Sequence, residues 1–115
     1  MKYLCLVLLD ELALRRMSQT EKDQLDLENW AFAEVYHDSG QLVVEWGLER
    51  PGAAVTVRVR NGELSTSDGP PAETAESLHG FYLLEVGDLN EAIHVASRMP
   101  RARLGRIELH AIKVA

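Results

Sequence analysis

Asp68 and His79 are the side chains of this sequence best suited to moving a proton. They lie in the stretch S-D-G-P-P-A-E-T-A-E-S-L-H-G, where a very polar turn runs into the apolar segment F-Y-L-L-E-V. A carboxylate whose pKa burial lifts toward working pH serves as a general base. A histidine beside a carboxylate passes protons near neutral pH. The expected catalytic pair is therefore Asp68 with His79. Glu73 in the same loop, together with Arg58 and Arg103, is expected to contact substrate, the guanidinium groups suiting an anionic one. Each residue also has a structural reading. Asp before Gly-Pro is what a tight turn requires. His79 can be a surface residue ahead of a strand, Glu73 can complement the first turn of a short helix, and the arginines can be solvated or paired with neighbours.

Other chemistry is not signalled. His37, His94 and His110 are scattered. No histidine–carboxylate spacing resembles a metal site, and the sequence has no nucleophile motif, phosphate loop or dinucleotide fingerprint. No metal and no cofactor are expected. The single cysteine, Cys5, sits in an apolar run and reads as inert packing.

These groups must be held by one domain spanning residues 1–115, a length that buries enough surface for a core without staples. The net charge of -6 argues against nucleic acid as a partner, because phosphate binding wants a basic field. Arg98, Arg101, Arg103 and Arg106 form a local basic cluster that reads as cations near a helix C-terminus. The apolar start superficially resembles a signal peptide. However, Asp10 and Glu11 follow at once and no small-residue cleavage site appears. The run is too short to cross a bilayer, so no membrane is expected. One cysteine allows no internal disulfide, which fits a reducing compartment.

Residues 2–9 are apolar on both alternating faces, as in a central strand buried on both sides. A charged connection, residues 10–17, leads to Ser18-Gln19-Thr20-Glu21, a capping box that opens a helix to about Asp38. Leu25, Phe32, Val35 and Tyr36 are expected to face the sheet, and Gly40 to close the helix. Residues 41–46 form a second strand. Residues 54–60 alternate Val55, Val57, Val59 against Thr56, Arg58, Arg60, and Asn61-Gly62 makes a hairpin with residues 63–66. After the loop, residues 81–86 form a strand. Asp88 to Glu91 cap a helix carrying Leu89, Ala92, Ile93, Ala96 and Met99, Pro100 lies just beyond, and residues 106–114 form the last strand.

That order is an α+β, ferredoxin-like split βαβ with an inserted β-hairpin. Right-handed crossovers put both helices on one face. The other face needs a cover, partly the hairpin and otherwise a second copy, so a homodimer with sheets face to face is expected.

Several ordered motifs then resemble a known family. They include Met1-Lys2-Tyr3-Leu4, Gly47-Leu48 with Pro51, Thr56-Val57-Arg58-Val59, and Asp68-Gly69-Pro70 with Ala72-Glu73-Thr74. Gly80-Phe81-Tyr82-Leu83, Asp88-Leu89, Glu91-Ala92, Pro100, and Ala102-Arg103 with Gly105 continue the match. Together they resemble the DGPF-type proteins of the YCII-related superfamily over nearly the whole chain. The resemblance implies a bacterial cytoplasmic protein with a dimeric α+β barrel fold. It implies no settled biochemistry: a small-molecule-binding or regulatory protein on one reading, a lyase or isomerase of aromatic or related small molecules using an Asp/His pair on another. This chain departs from the pattern at Pro71, Ala75, His79 and Trp46, where the family usually carries phenylalanine, lysine, glycine and glutamate.

Overall fold

The computed structural model describes residues 1–69 and 76–114. Glu73 and the two prolines of the expected turn lie outside the described residues. The elements run β1 (Lys2–Asp10), α1 (Glu11–Arg15), α2 (Gln19–Asp38), β2 (Leu42–Gly47), β3 (Val55–Arg60), β4 (Glu63–Asp68), β5 (Glu76–Glu85), α3 (Leu89–Ser97) and β6 (Gly105–Ala111). Four strands form one antiparallel sheet in the order β2-β5-β1-β6, with β1 and β5 central. This is the split βαβ topology that the element order implies.

The burial of β1 alternates strictly, with Tyr3, Cys5, Val7 and Leu9 buried and Leu4, Leu6 and Leu8 only half-buried. The buried set meets Phe32 and Ala33 of α2 and Ala92, Val95 and Ala96 of α3, with Tyr82 and Leu84 beside it on β5. Phe32 lies edge-on to Tyr82 at 5.8 Å between ring centroids. Both helices therefore cover the same face. Their starts are fixed locally. Ser18 and Glu21 exchange the two hydrogen bonds of a capping box at 3.1 Å each, and the Asp88 carboxylate accepts from the Glu91 amide at 2.8 Å. Gly40 ends α2 at φ 82°, where a side chain would be strained.

Several elements differ from the expectation. The connection after β1 contains a short helix, α1, because Asp10 caps it through the amides of Leu12 and Ala13. The strand expected at residue 81 begins at Glu76, so His79 lies in a strand rather than a loop. Val35, Leu89 and Ile93 point outward, while Ala33 and Val95 occupy the core. The helices lie close to the sheet there, and small or β-branched residues fill the space.

The hairpin does not cover the sheet. Strands β3 and β4 pair with each other as a separate two-stranded sheet. Asn61 at φ 53° and Gly62 at φ 78° form the tight turn that Asn-Gly favours. The face of the large sheet away from the helices thus presents Leu4, Leu6, Phe81, Leu83 and Val44 half-buried, and Trp46 exposed. Strand β6 presents a polar strip along one border of that face. Arg106 contacts Glu76 at 2.6 Å and Glu108 at 2.8 Å, and His110 contacts Glu108 at 3.2 Å. Arg106, and then His110, hold the Glu108 carboxyl below its usual range. The contribution of this lowered pKa is present above the unfolded carboxylate pKa and is lost as pH falls through the folded one.

Two predictions follow from this packing. Burial pushes the Cys5 thiol up to about 12 from 9.0. Native protein should therefore leave Cys5 unlabelled by a thiol reagent at pH 8, with labelling appearing only as urea unfolds the chain. Because the folded pKa is raised, its contribution to stability is complete below pH 9 and is lost as pH rises toward 12. Gly105 faces Leu9 across β1 and β6, and a Cβ there would collide with the Leu8 carbonyl oxygen and lie 2.8 Å from the Leu9 Cα. Gly105→Ala should cost about 1–3 kcal/mol in urea unfolding, because the obstacle is backbone that cannot turn aside; an unchanged midpoint would contradict the close approach.

Candidate functional site

The helix-side end of the sheet is where regular pairing breaks down. Val7 pairs with Gly80 but Leu8 pairs with Leu78, so β5 carries one extra residue, His79. A bulge of this kind redirects a side chain. The opposite edge accommodates it with glycine. Gly47 pairs with Gly80, and a Cβ on Gly80 would lie 2.7 Å from the Trp46 carbonyl oxygen. The His79 carbonyl accepts from the Leu48 amide at 2.9 Å, which pins the bulge to the chain leaving β2.

The imidazole of His79 meets a carboxylate distant in sequence. Its Nε2 lies 2.6 Å from Glu11 Oε1, with side-chain exposures of 19% and 36%. Glu11 is placed by the Asp10 cap, which turns the chain sharply into α1 at the end of β1. A carboxylate bound to one ring nitrogen fixes the tautomer and orientation of the ring. Nδ1 makes no hydrogen bond among the described residues and is the atom left for a ligand.

His79, though not Glu11, lines a cavity of about 500 Å³ under the first half of α2, with Leu9, Leu14, Leu25 and Leu48 as apolar wall and Arg15, Lys22 and Arg101 as cations. An adjoining cavity of about 320 Å³ shares Asp26, Gly47 and Arg101 with it and adds Asn29, Trp30, Glu45, Trp46 and Tyr82. Arg101 lies in the 3-10 turn Pro100–Leu104 and is half-buried. Its guanidinium has no ion-pair or hydrogen-bond partner among the described residues. Asn29 is in the same condition: both polar atoms of its amide are sealed from solvent and unpartnered. Each such group costs on the order of 1–3 kcal/mol. Burial raises the pKa of the Tyr82 hydroxyl, and the positive charge of Arg101 works against that rise.

The residues singled out in the sequence are not gathered here. Of the expected residues that are described, His79 alone lines the cavity; Glu73 lies outside the described residues. Asp68 ends β4 on the hairpin, exposed and opposite Val55, and does not border the cavity that holds His79. Arg58 is exposed on the polar face of the hairpin. Arg103 is bound to Glu28 at 2.6 Å. Sequence reasoning missed Glu11, Arg101 and Asn29. For Glu11 the available signal was Asp10-Glu11 directly after an apolar strand, a cap followed by a first-turn carboxylate. For Arg101 it was a cation just after Pro100, where a helix has ended and the chain must turn back onto the sheet. Asn29 gave a weaker one, an amide on the apolar side of α2. Among the described residues, no group of three or more His, Cys, Asp or Glu is placed to hold a metal ion.

A second concavity, of about 430 Å³, opens beside the base of the hairpin and is almost wholly apolar, with Leu8, Leu48, Pro51 and Leu78 in its wall. Glu49, Arg50, Glu76 and Ser77 also line it but expose little polar surface there, whereas the cavity at His79 joins an apolar wall to several polar groups, so the latter is the better candidate site.

The chain is 34% identical over 102 residues to an uncharacterized protein of Rhizobium meliloti (strain 1021), a match that covers 89% of this chain and 82% of that relative. The YCII-related domain matches residues 1–114. With the split βαβ sheet and that match running nearly end to end, the chain belongs to the YCII-related family.

Proposed function

We propose that this protein is a homodimer that binds a small organic anion, with the acid group at Arg101 and the rest of the ligand in the cavity walled by Leu9, Leu14 and Leu25. The observation that carries this reading is the unpartnered, half-buried guanidinium of Arg101 between two joined cavities. A planar guanidinium recognises carboxylate bidentately, and such bonds are among the stronger ones a site can offer. Desolvation here makes the contact stronger than at an open surface. The neighbouring Asn29 amide supplies one donor and one acceptor in need of partners. The homodimer rests on the half-exposed apolar face of the sheet, which one layer of helices leaves bare. A cytoplasmic setting suits the single buried thiol, which has no second cysteine to pair with.

A second reading, a lyase or isomerase acting on an aromatic or related small molecule, is favoured by one feature, the 2.6 Å contact of His79 with Glu11. In it Nδ1 of His79 takes the substrate proton, and Glu11, in the place expected for Asp68, orients the ring and stabilises the imidazolium that forms. Asp68, Arg58 and Arg103 have no part in either reading.

Thermal shift with a panel of small aromatic and aliphatic carboxylates tests the anion site. Ligands that bind the native state raise the melting temperature by mass action. A carboxylate that stabilises the wild type should lose roughly tenfold or more in affinity with Arg101→Gln, and nothing with Arg103→Gln. Equal shifts in wild type and Arg101→Gln would remove Arg101 from the site. For the second reading, His79→Gln and Glu11→Gln should bind the same carboxylate yet fail to exchange or eliminate its proton, followed by NMR in deuterated water; exchange at the wild-type rate in both variants would leave the dyad without a catalytic role.

A further inference from the structure

The β3–β4 hairpin is built with one face for burial and is given nothing to bury it against within its own chain. Val55, Val57 and Val59 share a face with Leu64, Thr66 and, at the base of the hairpin, Asp68, while Thr56, Arg58 and Arg60 share the other with Ser67, Ser65 and Glu63. The apolar four are 58–69% exposed. They form a patch on the order of 400 Å², at the upper end of what a monomer exposes. A two-stranded hairpin alone is marginally stable in water, and a Val-alternating strand wants one face covered.

Its two ends are nevertheless tied to each other. Thr56 Oγ1 donates to the Gly69 carbonyl at 2.8 Å, and the Gly69 amide donates to the Ala54 carbonyl at 2.6 Å. These bonds hold the hairpin together as a unit, and its apolar four extend uncovered by the rest of the described chain. The radius of gyration records this: 16.0 Å, against roughly 13 Å for a compact chain of this length.

Each chain therefore carries two apolar surfaces that do not meet internally, the valine face of the hairpin and the bare face of the large sheet. A twofold axis lets the first surface of each copy meet the second surface of the other. We infer that the β3–β4 hairpin is a clasping arm whose valine face docks on the bare sheet face of a second copy of this chain. The inference rests on the homodimer proposed above and adds which surface holds it together. Two arms plus the sheet surfaces they leave facing each other reach the roughly 800 Å² per partner that a stable complex buries. Asp68, exposed at the hairpin's base, falls at the edge of the docked face, where an interface rim is polar, and the other charges agree with the placement. Arg58 and Arg60 end up on the outer, wet side of the docked arm, and the Arg106–Glu108–His110 strip lies along one border of the sheet face, where an interface rim is polar.

Light scattering and sedimentation of the full chain test the arm. Wild type should be a dimer at micromolar concentration. A chain carrying Val57→Lys with Val59→Lys should sediment as a monomer with an unchanged far-ultraviolet circular dichroism spectrum, and Arg58→Ser on the outer face should stay dimeric. If the double variant dimerises like wild type, the arm is not the contact although the dimer stands. A monomeric wild type overturns both. Should the double variant fail to fold, hydrogen exchange on wild type decides. The valine-strand amides should be protected in concentrated protein and lose that protection on dilution, and fast exchange there in the dimer overturns the arm.

Discussion

The central strands β1 and β5 are apolar on both sides, and the two crossover helices can lie on only one side of them. This asymmetry organises the molecule. Right-handed crossovers carry α2 and α3 to the same face, so the odd-numbered side chains of β1 enter a closed core and the even-numbered ones do not. The closed side is dry enough to hold the Cys5 thiol protonated well above its ordinary range. The other side keeps leucines and aromatics half in water. A cover over that side would bury further apolar area, which is what ties the proposed association of this chain to its fold.

The candidate site arises where the sheet departs from regularity. One extra residue in β5 turns His79 toward the helix side, and the glycines Gly47 and Gly80 let the edge strand close up behind it. The carboxylate that meets His79 comes from the first turn of a helix only five residues long, which exists because Asp10 caps it. The cation comes from a 3-10 turn at the far end of the chain. Three short irregular pieces, each fixed by a cap or a bulge, assemble the polar groups, while the long regular elements supply the wall. Among the described residues the Arg101 and Asn29 side chains have no hydrogen-bonding partner, although Asp26 and Glu45 line the same cavity.

The long elements were legible from the residues alone. Two-sided apolarity marked β1 as central, Ser18 and Glu21 marked the start of α2, and Asn61-Gly62 marked the hairpin. Those signals are local, carried by neighbours in sequence. The dyad was not legible as a pair, because Glu11 and His79 are 68 residues apart and meet only through the register of β1 on β5. Asp68 drew attention for the same reason that it suits a turn. The strand character of residues 76–79 was hidden because backbone pairing does not require apolar side chains. Helical spacing alone also misplaced Val35, Leu89 and Ile93, since it fixes a face only to within a residue, and the closeness of the sheet decides which residues fit under it.

The proposed ligand cavity and the proposed interface stand back to back on the same few residues. Leu9 and His79 face the cavity, while Leu8 and Leu78, their immediate neighbours, face the bare side and the apolar notch at the base of the hairpin. Alternation along a strand makes this unavoidable: a side chain given to one surface puts the next one on the other. A change in the bulge that moved His79 would shift Leu78 by the same peptide, and a second copy seated on the bare face would resist it. In the proposed dimer, the sheet surface facing the second copy would also be the surface that backs the histidine, so the site would take part of its rigidity from the packing behind it.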